Sequence, residues 1–103
     1  DSKIETCSII LDAPISNTTF DNWLDTLIGA KGSDILRIKG IVFLENIDAP
    51  FVFHGVQHIF DPPVQLKKWL KNDRQSRIVV IARNISKLQL QRSLDMLRIK
   101  ADD

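Results

Sequence analysis

Apolar positions along this chain recur with two different periods, and each change of period marks a boundary between elements. Residues 36–44, Leu-Arg-Ile-Lys-Gly-Ile-Val-Phe-Leu, and residues 51–60, Phe-Val-Phe-His-Gly-Val-Gln-His-Ile-Phe, are two β-rich runs. They flank Glu45-Asn46-Ile47-Asp48-Ala49-Pro50, six turn-type residues, so the stretch predicts a hairpin. A strand sends successive side chains to opposite faces, and this alternation selects a register. With Leu44 opposite Phe51, one face gathers Leu36, Ile38, Gly40, Val42 and Leu44 against Phe51, Phe53, Gly55, Gln57 and Ile59, nearly all apolar. The other carries Arg37, Lys39, Ile41 and Phe43 against Val52, His54, Val56, His58 and Phe60, a mixture suited to neither water nor a core. This register also sets Gly40 opposite Gly55, and the trough left by two missing β-carbons is expected to be filled by Trp23.

Residues 6–13 form a β-branched run stopped by Pro14, and the consecutive Ile9, Ile10 and Leu11 predict a central strand covered on both faces. Phe20, Trp23, Leu24, Leu27 and Ile28 then follow at helical spacing. The helix is capped by one of the side-chain oxygens of Ser16-Asn17-Thr18-Thr19 and closed around Gly29 and Gly32. Asp61-Pro62-Pro63 stops the hairpin's second strand, and residues 64–69 predict a short edge strand or turn. Ile78 to Ala82 is an unbroken apolar run, read as a second central strand. Ser86-Lys87-Leu88-Gln89 is a capping box, with Ile85 and Leu90 as its hydrophobic staple and Leu90, Leu94 and Leu97 as the buried stripe of a final helix. The predicted fold is α+β: a mixed sheet of four to five strands, helices on one face, and a split β-α-β start.

Composition narrows this without redirecting it. A chain of 103 residues, 44% hydrophobic and 26% charged, holds one core and one domain, residues 1–103. A net charge of +1 supplies no strong drive toward nucleic acid. The single Cys7 excludes an internal disulfide and is read as a small buried hydrophobe. No apolar run reaches membrane-spanning length and no signal-peptide pattern is present, which predicts a soluble, cytoplasmic protein with no membrane partner. The chain starts at Asp1 and its one methionine is Met96, so a piece of something longer is expected.

Three stretches together carry a family resemblance: Ile35-Leu36-Arg37-Ile38-Lys39-Gly40-Ile41, His54-Gly55-Val56-Gln57-His58, and Ser76-Arg77-Ile78-Val79-Val80-Ile81-Ala82-Arg83. In order and spacing, from about Ile4 to Leu97, the chain resembles the carboxy-terminal domain of CobW-type P-loop GTPases. The resemblance implies an accessory or regulatory domain of a GTP-dependent metallochaperone or cobalamin biosynthesis protein. It also implies that the longer protein uses GTP, magnesium and a transition metal, zinc or cobalt, with no cofactor in this piece. The implied partners are an N-terminal GTPase domain, a client metalloprotein and further copies of the chain.

The residues themselves supply little chemistry of their own. A phosphate loop needs glycines before a helix, then Lys and Ser or Thr; Gly29-Ala30-Lys31-Gly32-Ser33 instead follows one, so the chain itself is read as no enzyme. His54 and His58 are the candidate metal ligands, although i and i+4 on one regular strand stand about 13 Å apart, too far to share an ion. Ser76, His54 and Asp61 assemble a hydrolytic set only on paper. Lys67, Lys68, Lys71, Arg74 and Arg77 surround Trp69, the basis of an alternative reading as a ferredoxin-like nucleic-acid-binding module. The preferred reading makes the mixed face an interface, with Arg37, Lys39, Phe43, His54, His58 and Phe60 as its candidate residues.

Overall fold

In the computed structural model, which describes residues 3–56, 59–60, 62–69 and 74–100, the chain begins with β1 (Ile4–Leu11) and crosses through α1 (Asn17–Lys31) to β2 (Ile35–Val42). β3 (Phe51–Val56), β4 (Ile59–Phe60) and β5 (Val64–Gln65) follow, then β6 (Ser76–Arg83) and α2 (Lys87–Asp95). The sheet runs β1-β6-β2-β3-β4, with β5 also paired to β3. β1 and β2 therefore flank β6, which is the predicted split β-α-β arrangement in an α+β fold.

The sheet differs from the expected mixed one in that every ladder is antiparallel. A parallel pairing occurs only as the isolated bridge between Ile15 and Leu44, among the described residues. It is held by Ile15 N–H donating to the Phe43 carbonyl at 2.8 Å and Glu45 N–H donating to the Ile15 carbonyl at 2.9 Å. Inserting β6 between β1 and β2 gives each of them an antiparallel neighbour.

β1 is an edge strand, not the central strand that its Ile9-Ile10-Leu11 run predicts. Cys7, Ile9 and Leu11 are buried while Ile10 is 55% exposed, so the strand is covered on one face only. β6 does occupy the centre, but Ile78, Val80 and Ala82 are buried whereas Val79 and Ile81 are only half-buried. An uninterrupted apolar run can mark a strand covered twice or a strand with an apolar open face, and only the helix positions decide between them.

The hairpin register lies two residues from the expected one: Val42, not Leu44, faces Phe51, and Gly40 faces Phe53. Because the displacement is even, the sorting of residues between faces survives it. An irregularity against β6 between Ile35 and Arg37 exchanges the roles at the strand's start, so Ile35 is buried and Leu36 half-buried. Phe53 rather than Trp23 fills the space above Gly40, and Phe20 packs edge-on against it with ring centroids 5.4 Å apart.

Both helices cap and bury as their sequences dictate. Ser16 Oγ accepts the Thr19 N–H, and Ser86 with Gln89 forms both halves of the capping box. α1 buries Phe20, Trp23 and Leu27, and α2 buries Leu90 and Leu94, against the buried side chains of β1, β6, β2 and β3. Trp23 sits where the helices meet, its indole N–H donating to Ser93 Oγ at 3.0 Å. Gly32 is the C-cap of α1 but keeps a right-handed conformation, leading into a 3-10 turn at Gly32–Asp34 instead of a left-handed glycine stop.

Candidate functional site: the open face of the sheet

With the helices and core on one side, the pairing registers align the side chains of the other side in rows across β1, β6, β2 and β3. One row reads Thr6, Ile81, Arg37, Val56; the next Ser8, Val79, Lys39, His54; the third Ile10, Arg77, Ile41, Val52. Arg37, Lys39, His54, Val56 and Arg77 are exposed, and Ile41, Val52, Val79 and Ile81 are half-buried. Strand alternation thus places aliphatic and cationic side chains beside one another, and no carboxylate stands on this face among the described residues of the four strands. At the end of β6, beside the start of β2, Arg83 continues the cationic series and is engaged by the Asp34 carboxylate at 3.5 Å and the Ser33 carbonyl at 3.2 Å.

Of the six interface residues expected from sequence, Arg37, Lys39 and His54 stand together here, Lys39 directly opposite His54. Phe43 continues the same alternation but is half-buried, because Trp69 packs edge-on against it with centroids 5.5 Å apart at 87°. Trp69 is itself fixed by its indole N–H, which donates to the Asp48 carbonyl at 2.7 Å. Trp69 therefore closes one corner of the face. Phe60 does not prolong the strand of His54: it belongs to β4, which runs back along β3 and pairs Phe60 with Gly55. His58 lies outside the described residues.

Sequence reasoning missed the contribution of β6 and β1. Arg77, Val79 and Ile81 form the middle of the face, and the signal was present: the alternation of Arg77, Val79, Ile81 and Arg83 along the strand.

Other chemistry suggested by the sequence is not brought together. Ser76 is fully buried on the core side, its Oγ accepting the Phe43 N–H at 2.8 Å, while His54 is exposed on the opposite face, so the two cannot act as nucleophile and base. Asp61, the third member of that set, lies outside the described residues. Cys7 is buried as expected, with its thiol donating to Gln91 Oε1 at 3.1 Å. No group of three or more His, Cys, Asp or Glu side chains is placed to hold a metal ion among the described residues. Around Trp69, Arg74 is ion-paired with Asp48 and Arg77 donates to Gln75 at 2.6 Å; Lys71 lies outside the described residues. Trp69's contact with Phe43 leaves no stack of exposed rings on the described part of the sheet, the feature on which single-stranded nucleic acids are usually read. No helix of the described residues is long and apolar enough to cross a membrane.

An antiparallel sheet covered by two helices on one side and left apolar and cationic on the other defines an α+β domain. The chain belongs to the family described as the cobalamin synthesis protein cobW C-terminal domain, whose model it matches over residues 4–98. Among solved structures it is similar to the zinc-bound YjiA GTPase from E. coli and to a zinc-bound triple mutant of the YjiA GTPase. Each has a TM-score of 0.81 and 20% identity, over 93% of this chain and 30% of the other. That likeness shows the fold, and the chain spans 30% of the length of these proteins. No curated protein matches the sequence.

Proposed function

We propose that this chain is the accessory C-terminal domain of a GTP-dependent metallochaperone or cobalamin-pathway protein, and that its open sheet face docks onto the GTPase domain or a client protein. The observation that carries the reading is the array of exposed cations and half-buried aliphatics on a face that the chain's own helices do not cover. Ile41, Val52, Val79 and Ile81 supply contact area; Arg37, Lys39, Arg77 and His54 supply polar specificity, the division found in non-obligate interfaces. The partner surface that fits is an apolar patch bordered by carboxylates. GTP, magnesium and a transition metal belong, on this reading, to the rest of a longer cytoplasmic protein whose GTPase activity this domain serves without chemistry of its own. Nucleotide alters the docking only through a GTPase-domain conformation that binds the face better than another does.

The test is association between this chain and the separately purified GTPase domain of the same protein, by calorimetry in the GTP-bound, GDP-bound and nucleotide-free states. Lys39→Glu combined with Val56→Asp, both at exposed positions, abolishes the association while circular dichroism stays unchanged. If the unaltered chain shows no association at high micromolar concentration in any nucleotide state, docking to the GTPase domain is wrong.

A further inference from the structure

Among the described residues, the outer edge of β1 has no partner strand. Asn84 N–H donates to the Lys3 carbonyl at 3.0 Å, which makes Lys3 and Asn84 a hydrogen-bonded antiparallel pair. Since such pairs alternate along a ladder, Glu5, Cys7, Ile9 and Leu11 spend their backbone groups on β6, and Ile4, Thr6, Ser8 and Ile10 aim theirs away from the sheet. Folded proteins commonly protect an edge of this length with a proline, a charged side chain or a bulge. In the sequence Ile-Glu-Thr-Cys-Ser-Ile-Ile-Leu the one charge, Glu5, lies at the strand's beginning, residues 6–11 carry neither charge nor proline, and the register against β6 is unbroken over all eight pairs.

We infer that β1 pairs antiparallel with β1 of a second copy of this chain, about a two-fold axis through Cys7, with Ile4 opposite Ile10 and Thr6 opposite Ser8. A second copy fits this edge better than an unrelated extended segment because the outward set reads the same in both directions by chemical type: isoleucine, hydroxyl, hydroxyl, isoleucine. Reversal about Cys7 sets apolar against apolar and hydroxyl against hydroxyl at every outward position. Moving the axis by one residue either way sets an isoleucine against a hydroxyl. Ile4 is 62% and Ile10 55% exposed, so the pairing covers two of the largest apolar side chains on the surface. Isologous contacts of this kind close on themselves and stop at the dimer.

The helix above the edge supports the same geometry. Gln91 reaches Cys7, which places that side of α2 over the axis, and Leu88, three residues before Gln91 on the same stripe, is 58% exposed. In the dimer the two α2 helices approach each other there, and Leu88 gains apolar cover. On the core side, Cys7 faces its own copy, and Glu5, which is half-buried at the strand's beginning, faces Ile9. The two open faces become one continuous surface, so the pairing is compatible with docking there and does not depend on it.

Sedimentation equilibrium of the chain across micromolar to millimolar concentration reads the association, and a paired charge substitution reads the register. Ile4→Lys with Ile10→Lys sets like charges opposite one another twice and weakens the dimer about tenfold or more. Ile4→Lys with Ile10→Glu sets opposite charges there and restores most of the loss. Hydrogen exchange provides a readout that needs no variant: the amides of Thr6 and Ser8 gain protection as concentration rises, while those of Val80 and Ile38 do not change. A chain that stays monomeric throughout overturns the inference, as do equal losses in the two double variants, or a dimer whose Thr6 and Ser8 amides exchange as fast as in the monomer.

Discussion

Gly40 on β2 lies directly across from Phe53 on β3, and the Phe53 ring occupies the volume into which a β-carbon on Gly40 would project. Such a carbon would stand 2.9 Å from Phe53 Cε1, 2.8 Å from the Arg77 carbonyl oxygen and 3.0 Å from Ile78 Cγ1. The ring can turn, but the carbonyl belongs to the central strand and cannot yield without moving the ladder. Gly40→Ala is therefore expected to cost about 1–3 kcal/mol, the range for overpacking a close-packed core. Urea denaturation measures it; a loss within experimental error would mean that β2 and β6 are not in close contact at Gly40.

Trp23 is 2% exposed at the junction of α1 and α2, so Trp23→Ala is expected to destabilise by about 3–5 kcal/mol. Ser93→Ala removes only the acceptor of the indole N–H and is expected to cost about 1 kcal/mol. Denaturant melts of both variants check the ratio. If Trp23→Ala lost less than about 1 kcal/mol, the helices would not be joined through this ring.

Ser76 and His54 separate under mutation because they lie on opposite faces. Ser76→Ala leaves the Phe43 N–H without its fully buried acceptor and is expected to cost about 1–3 kcal/mol. His54→Ala, at an exposed position, is expected to change stability by less than about 0.5 kcal/mol. Thermal melts decide it, and an esterase assay gives the same background rate for both variants as for the unaltered chain.

The glycines Gly29 and Gly32 occur within and at the end of α1, not before a helix, so no helix amino terminus with a preceding glycine loop is available to cradle phosphates. The chain is expected to bind no GTP with or without magnesium. Saturable, magnesium-dependent heat of binding in calorimetry would contradict this.

Ser86 and Gln89 satisfy each other's backbone amides, at 3.1 and 3.0 Å, and so set the start of α2. Ser86→Ala is expected to cost about 1 kcal/mol, read in the same melts, and Ser86→Asp to cost little.

The sequence alone determined what depends on local periodicity and local hydrogen bonding. The capping box at Ser86, the apolar stripe of α1, the partition of the hairpin residues between two faces and the family likeness carried by residues 35–41 and 76–83 were all legible without coordinates. Each rests on neighbours within a few positions along the chain, or on a parity that an even slip in register leaves intact. Tertiary structure decided the rest. Nothing in Ile9-Ile10-Leu11 says whether the strand lies at the centre or the edge, since Ile10 is apolar in either place; the insertion of β6 between β1 and β2 made β1 the edge. Whether Val42 or Leu44 would face Phe51 was likewise settled at a distance. Phe43 N–H is taken by Ser76 Oγ and its carbonyl by Ile15 N–H, so the chain leaves the β2–β3 ladder after Val42 to make bonds with residues far away in sequence. Those bonds exist only once β6 and the segment before α1 have been brought alongside, and no local pattern encodes them.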